Sequence, residues 1–138
     1  MNDDVIEEVI EQVLALHTWA VVGLSNNEER AAYGVAHLLQ SKGHRIVPVH
    51  PKAETVHGEK GYATLSDIPF PVDVVDLFVN SDLAGAVIDE AIAICARAVW
   101  LQLHVIDEEG VERGKNAGLL TVMDRCPAIE YGKRGSRN

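Results

Sequence analysis

Short β-branched apolar runs alternating with helix-period segments constrain this chain more than any other feature. Thr18-Trp19-Ala20-Val21-Val22-Gly23 is only a few residues long and apolar on both sides. That pattern suits a strand buried on two faces of a parallel sheet. Comparable runs follow at His44–His50, Val72–Val79, Ala98–Leu103 and Leu119–Asp124. Between them the apolar period lengthens. Residues 3–16 place Val5, Ile6, Val9, Ile10, Val13 and Leu14 on one helical face opposite Glu7, Glu8 and Glu11, with Asn2 or Asp3 as a cap. A second helix is predicted from Glu28 to Lys42, after Asn27 as N-cap and before Gly43 as stop signal. A third follows Ser81, and a weaker one over 107–117 carries Gly110 and Gly114, each costing about 1 kcal/mol relative to Ala. The stretch from Pro51 to Pro71 is long for a connection within one domain, so it is expected to be functional or to hide a short element.

Strands alternating with helices predict an α/β fold: a Rossmann-like, doubly wound, parallel five-stranded sheet with helices on both faces. The expected strand order is 3-2-1-4-5, with a ligand crevice outside the carboxyl ends of strands 1 and 4. The 138 residues suit one domain over 1–132, with 133–138 as a basic, frayed tail. Hydrophobic residues make up 47% and charged residues 24%, which excludes disordered, collagen-like and disulfide-scaffold classes. The formal net charge is -9, so the basic face that nucleic-acid binding needs is missing. No signal peptide or membrane span is expected, and two distant cysteines point to reduced thiols in a cytoplasmic protein. The histidines have no metal-ligand spacing.

Several residues at predicted strand ends carry chemistry. Gly23-Leu24-Ser25 precedes a helix, whose N-terminal amides favour a phosphate. The same turn reads equally as an ordinary strand-to-helix corner. Arg30 offsets Glu28 and Glu29, which would repel an anion. A GxGxxG fingerprint fails at Ser25, a GxSxG elbow fails at Asn27, and no Gly-Lys-Ser/Thr occurs. Where an NAD site carries an acid after the second strand, this chain has His50-Pro51-Lys52. A lysine there suits a ribose phosphate, as in NADP or coenzyme A, and equally an exposed loop charge. Asn80 ends the third strand. Gln102 interrupts Trp100-Leu101-Gln102-Leu103, where an amide needs a partner in backbone or ligand. Cys126 follows Arg125, which would lower its thiol pKa at a crevice mouth, although an inert buried thiol is the expected role.

Five segments together resemble the small stand-alone CoA-binding domain proteins. They are Ala20–Ser25, Ile46–Lys52, Val72–Phe78, Val99–Leu103 and Val122–Glu130. Similar domains occur in the α subunit of succinyl-CoA synthetase and in ADP-forming acyl-CoA synthetases, which react through a phosphohistidine in a further domain not expected in these residues. The resemblance implies a coenzyme A or acyl-CoA site at Gly23, Leu24, Ser25, Arg30, Pro51, Lys52, Asn80 and Gln102, without catalysis. The chain departs from the family pattern at Ala31-Ala32, at His50 and at His104, where glycine is usual. Two other readings stay open: an NADP-binding enzyme or redox module, and a regulatory protein that has lost its ligand.

Overall fold

The computed structural model describes residues 3–135. Five strands form one parallel sheet: β1 (Thr18–Val22), β2 (Arg45–Val49), β3 (Val74–Leu77), β4 (Ala98–Leu101) and β5 (Leu120–Val122). Five helices accompany them: α1 (Asp3–Leu14), α2 (Ala31–Ser41), α3 (Ser81–Ala93), α4 (Glu108–Asn116) and α5 (Pro127–Gly135). The expected doubly wound α/β class is the one found. A cap at Asn2 lies outside the described residues. None of the helices among the described residues is long and apolar enough to cross a membrane.

The strand order is β2-β1-β3-β4-β5, which corrects the expected 3-2-1-4-5. Right-handed crossovers explain the difference. Helix α2 joins β1 to β2 across the face that also carries α1 and α5. The connection from β2 to β3 crosses the other face, through Leu65, Ile68, Phe70 and Val72. Changing face while keeping the hand reverses the direction of winding, so β3 lands beside β1 and not beyond β2. The connection holds only a short 3-10 turn at Leu65–Asp67, and it is pinned where Tyr62 N–H donates to Pro48 O (2.9 Å).

Two cores sandwich the sheet. On the α1/α2/α5 side, Trp19 and Trp100 meet with ring centroids 5.6 Å apart. Their indole N–H groups donate to Leu16 O (3.0 Å) and Arg125 O (2.8 Å). On the other side α3 packs Ala84, Val87, Ile88 and Ala91 against the sheet. Of the two glycines that weaken α4, Gly110 lies in a tight place: a Cβ there would lie 2.8 Å from Ile88 Cδ1 of α3 and 2.8 Å from Oδ2 of the cap residue Asp107. Asp107 caps α4 by accepting from Gly110 N–H (3.0 Å).

Helix α5 runs to Gly135, so Lys133 and Arg134 belong to it and not to a solvated tail; residues 136–138 lie outside the described residues. Arg134 pairs with the buried Glu130 (3.2 Å) and with Glu7 of α1. Beside this pair, His44 Nδ1 lies 2.8 Å from Leu16 O and Nε2 lies 2.5 Å from the Tyr131 hydroxyl. The Leu16 carbonyl can only accept, so Nδ1 donates to it, and the contact of Nε2 with the Tyr131 hydroxyl braces α5 against the start of β2. Burial pushes the His44 pKa below its ordinary 6.5. The unfolded chain therefore takes up the proton first, and stability that is full above that value falls as pH drops below it. Relative to His44→Asn, wild type is expected to lose stability as pH falls from about 7.5 to about 5.5. Urea denaturation of both proteins at the two pH values gives that difference, and parallel changes would overturn it.

Candidate functional site

The reversal of winding falls between β1 and β3, where an open parallel sheet leaves a crevice beyond its strand ends. This corrects the expected position between strands 1 and 4, because β3 separates them. A cavity of about 520 Å3 occupies the crevice. Gly23 and Ser25 line it after β1, His50 after β2, Phe78, Val79 and Asn80 after β3, and Gln102, Leu103 and Val105 after β4.

Gly23 makes this convergence possible. Its φ is +102°, and a Cβ there would lie 2.3 Å from Phe78 O. Gly23 N–H donates to Val49 O (2.8 Å) and Phe78 N–H donates to Val22 O (2.9 Å), so three strand exits are stitched at one residue. Leu24 then turns inward and is wholly buried, so its side chain anchors the turn from the core. Helix α2 starts at Ala31, later than the Glu28 expected, because residues 25–29 form a polar turn. Ser25 Oγ accepts from Asn27 N–H (3.3 Å) and Asn27 Oδ1 accepts from Glu29 N–H (3.0 Å). Asn27 therefore shapes the turn, and Arg30 is the N-cap, with no side-chain cap bond. Glu28 and Glu29 are exposed and precede the helix.

Arg30, Ala31 and Ala32 face the cavity. The first amides of a helix have no intrahelical acceptor, so those of Ala31 and Ala32 are available to an anion. Helix α3 adds a second positive end, since Asn80 is its N-cap, again without a side-chain cap bond, and lines the same cavity. Ser81, expected as the cap, instead spans to the loop after β4, where its Oγ accepts from Ile106 N–H (2.9 Å) and donates to His104 O (3.3 Å). His104 adopts φ +69°, the conformation that favours glycine, and is held by Asp124 accepting from its N–H (2.7 Å).

Gln102 is 7% exposed, and its Oε1 is buried without a hydrogen-bond partner among the described residues. An unpaired buried acceptor costs about 1–3 kcal/mol, so Gln102 carries a hydrogen-bonding capacity on this wall of the crevice that the described residues do not meet. The opposite character appears at Leu83, Leu103 and Val105, an apolar rim suited to methylene groups.

Of the residues selected from sequence, Gly23, Ser25, Arg30, Asn80 and Gln102 therefore line one cavity. Leu24 lies in the core. Pro51 and Lys52 sit outside the cavity lining on an exposed turn, where Lys52 N–H donates to Nδ1 of the crevice residue His50 (3.1 Å). Phe78, Val79, Leu83 and Val105 were not legible, because apolar side chains carry no chemical signal and β3 was expected elsewhere. Cys126 is buried in the core beneath α5, and Arg125 pairs with Glu130 (3.6 Å). Among the described residues no cluster of three metal-ligating side chains occurs.

Residues 17–132 match the family model described as CoA binding domain. An uncharacterised Bacillus subtilis protein, YneT, is 31% identical over 112 residues, 81% of this chain and 83% of that one. A hypothetical protein from Pyrococcus horikoshii has the same fold, with a TM-score of 0.87 and 36% identity over 92% of this chain and 90% of its own. The dinucleotide-forming acetyl-coenzyme A synthetase 1 of Ca. Korarchaeum cryptofilum is 25% identical with a TM-score of 0.72. That match covers 83% of this chain and 28% of the synthetase.

Proposed function

From the premise that this chain belongs to the CoA-binding domain family, we propose that it binds coenzyme A in the β1–β3 crevice and carries out no chemistry of its own. The observation that carries this reading is the pairing of two uncapped helix N-termini with the unsatisfied Gln102 Oε1 across one cavity. The helix ends suit the diphosphate. The Gln102 acceptor suits an amide N–H of the pantetheine arm, and Leu83, Leu103 and Val105 suit its methylenes. Net charge works against such a ligand. A protein at -9 repels a polyanion at long range, so affinity has to come from local donors: the α2 amides, Ser25, Arg30 and Lys52.

Native mass spectrometry of freshly purified protein, followed by titration with CoA, dephospho-CoA and NADP, tests the reading. CoA is expected to bind more tightly than NADP. No CoA binding at millimolar concentration, or tighter NADP, overturns the assignment. Gln102→Leu is expected to weaken CoA about five- to tenfold with an unchanged or higher melting temperature. Lys52→Ala tests the ribose phosphate. It should weaken CoA about tenfold and leave dephospho-CoA nearly unaffected; equal losses for both would remove Lys52 from that role.

A further inference from the structure

A second cavity, of about 490 Å3, lies away from the crevice, at the open edge of the sheet. It straddles β5. Val5, Ile6 and Val9 of α1 form one wall, and Val111 and Lys115 of α4 form the other. Leu119–Met123 form the floor, and Arg125 closes one end. The volume falls in the range of roughly 300–1,000 Å3 that small-molecule sites occupy. Apart from the Thr121 hydroxyl, the lining is polar at three places. The Lys115 ammonium makes no ion pair among the described residues. Arg125 is held by Glu130 at 3.6 Å and keeps further donors free. The third is the strand edge itself. Leu120 N–H donates inward to Arg97 O (3.0 Å), so the alternation of a parallel ladder turns the backbone N–H of Thr121 outward.

We propose that this groove binds an alkyl carboxylate of medium chain length, with the chain between α1 and α4 and the carboxylate at Lys115. The site is independent of the crevice and of the coenzyme A reading. The charge contrast selects the ligand: in a chain of net charge -9, the charged residues among the described lining are Lys115 and Arg125, both cationic, with no carboxylate in that lining. The short edge argues against an added peptide strand. Three residues expose the backbone groups of only Thr121 outward, which leaves no ladder for a peptide to register on.

Titration calorimetry with decanoate, with 1-decanol as the uncharged control, tests the site on the whole chain. Both ligands are expected to bind wild type at one site, and excess CoA is expected not to displace them. Lys115→Glu should weaken decanoate about tenfold and leave decanol unchanged. Val5→Trp, at a 44% exposed position on the groove wall, should weaken both, with melting curves of each variant confirming the fold. The proposal is overturned by any of four results: no saturable decanoate binding, displacement by CoA, equal decanoate affinity for wild type and Lys115→Glu, or no effect of Val5→Trp. A failed CoA titration leaves this outcome untouched, and a failed decanoate titration leaves the crevice untouched.

Discussion

Gly23→Ala is expected to lower stability by about 3–5 kcal/mol, the range reached when backbone strain and a steric clash coincide. The residue sits at φ +102°, and the added Cβ would meet the Phe78 carbonyl at 2.3 Å, a backbone atom that has no rotamer by which to escape. Relief requires β1 and β3 to part at their carboxyl ends, where Phe78 N–H donates to Val22 O. The crevice should therefore be damaged along with the fold. Urea denaturation should show a much lower midpoint, and ligand affinity should fall in whatever fraction remains folded. Gly34→Ala provides the contrast. Gly34 lies within α2 with nothing within 4 Å of its would-be Cβ, so the same substitution should raise stability by about 0.5–1 kcal/mol. If both variants lose stability alike, close approach at Gly23 is not what fixes the strand exits.

The second large effect concerns Asp76. It lies on the central strand β3, opposite Val21 on one side and Trp100 on the other. It is fully buried, and neither carboxylate oxygen has a hydrogen-bond partner among the described residues. Burial pushes its pKa well above the ordinary carboxylate value of 3.8. The folded protein thus keeps a proton that the unfolded chain gives up. The stability associated with this group is complete below the ordinary value and declines as pH rises towards the folded one. Asp76→Asn removes that dependence. Its stability relative to wild type is expected to improve by about 1.4 kcal/mol for each pH unit climbed within that window. Urea midpoints of the two proteins at pH 4.5, 5.5 and 6.5 give the difference directly. Parallel curves would mean that Asp76 ionises as readily in the fold as in the unfolded chain.

Much of the site was legible because its residues are polar interruptions at strand ends. Gln102 stands out within Trp100–Leu103, Asn80 ends an apolar run, and Gly23 opens a strand-to-helix turn. The structure brings all three to one cavity. Lys52 was equally visible as a charge, but it stands on an exposed turn outside the lining. A single basic residue does not reveal in sequence which way its turn faces. Cys126, for which an inert buried thiol was expected, lies buried in the core cluster that also holds Trp100.

The period of the apolar residues, by itself, determined the elements. Runs apolar on both sides had to be strands buried on two faces, and segments of period 3.6 had to be helices, so a parallel sheet followed. Those signals are local, because neighbouring residues on one strand or helix share their environment. The tertiary structure decided everything that depends on which face a connection crosses. The 51–71 segment has no helical period; Val56 packs on the α2 side, while Tyr62, Leu65, Ile68 and Phe70 cover the opposite face. That change of face placed β3 beside β1 and moved the crevice with it. It also left Asp76 in the middle of the sheet with no hydrogen-bond partner for its carboxyl among the described residues. A strand such as Val74–Leu77, buried on both faces, fits beside any neighbour, so only packing of the whole chain could choose between them.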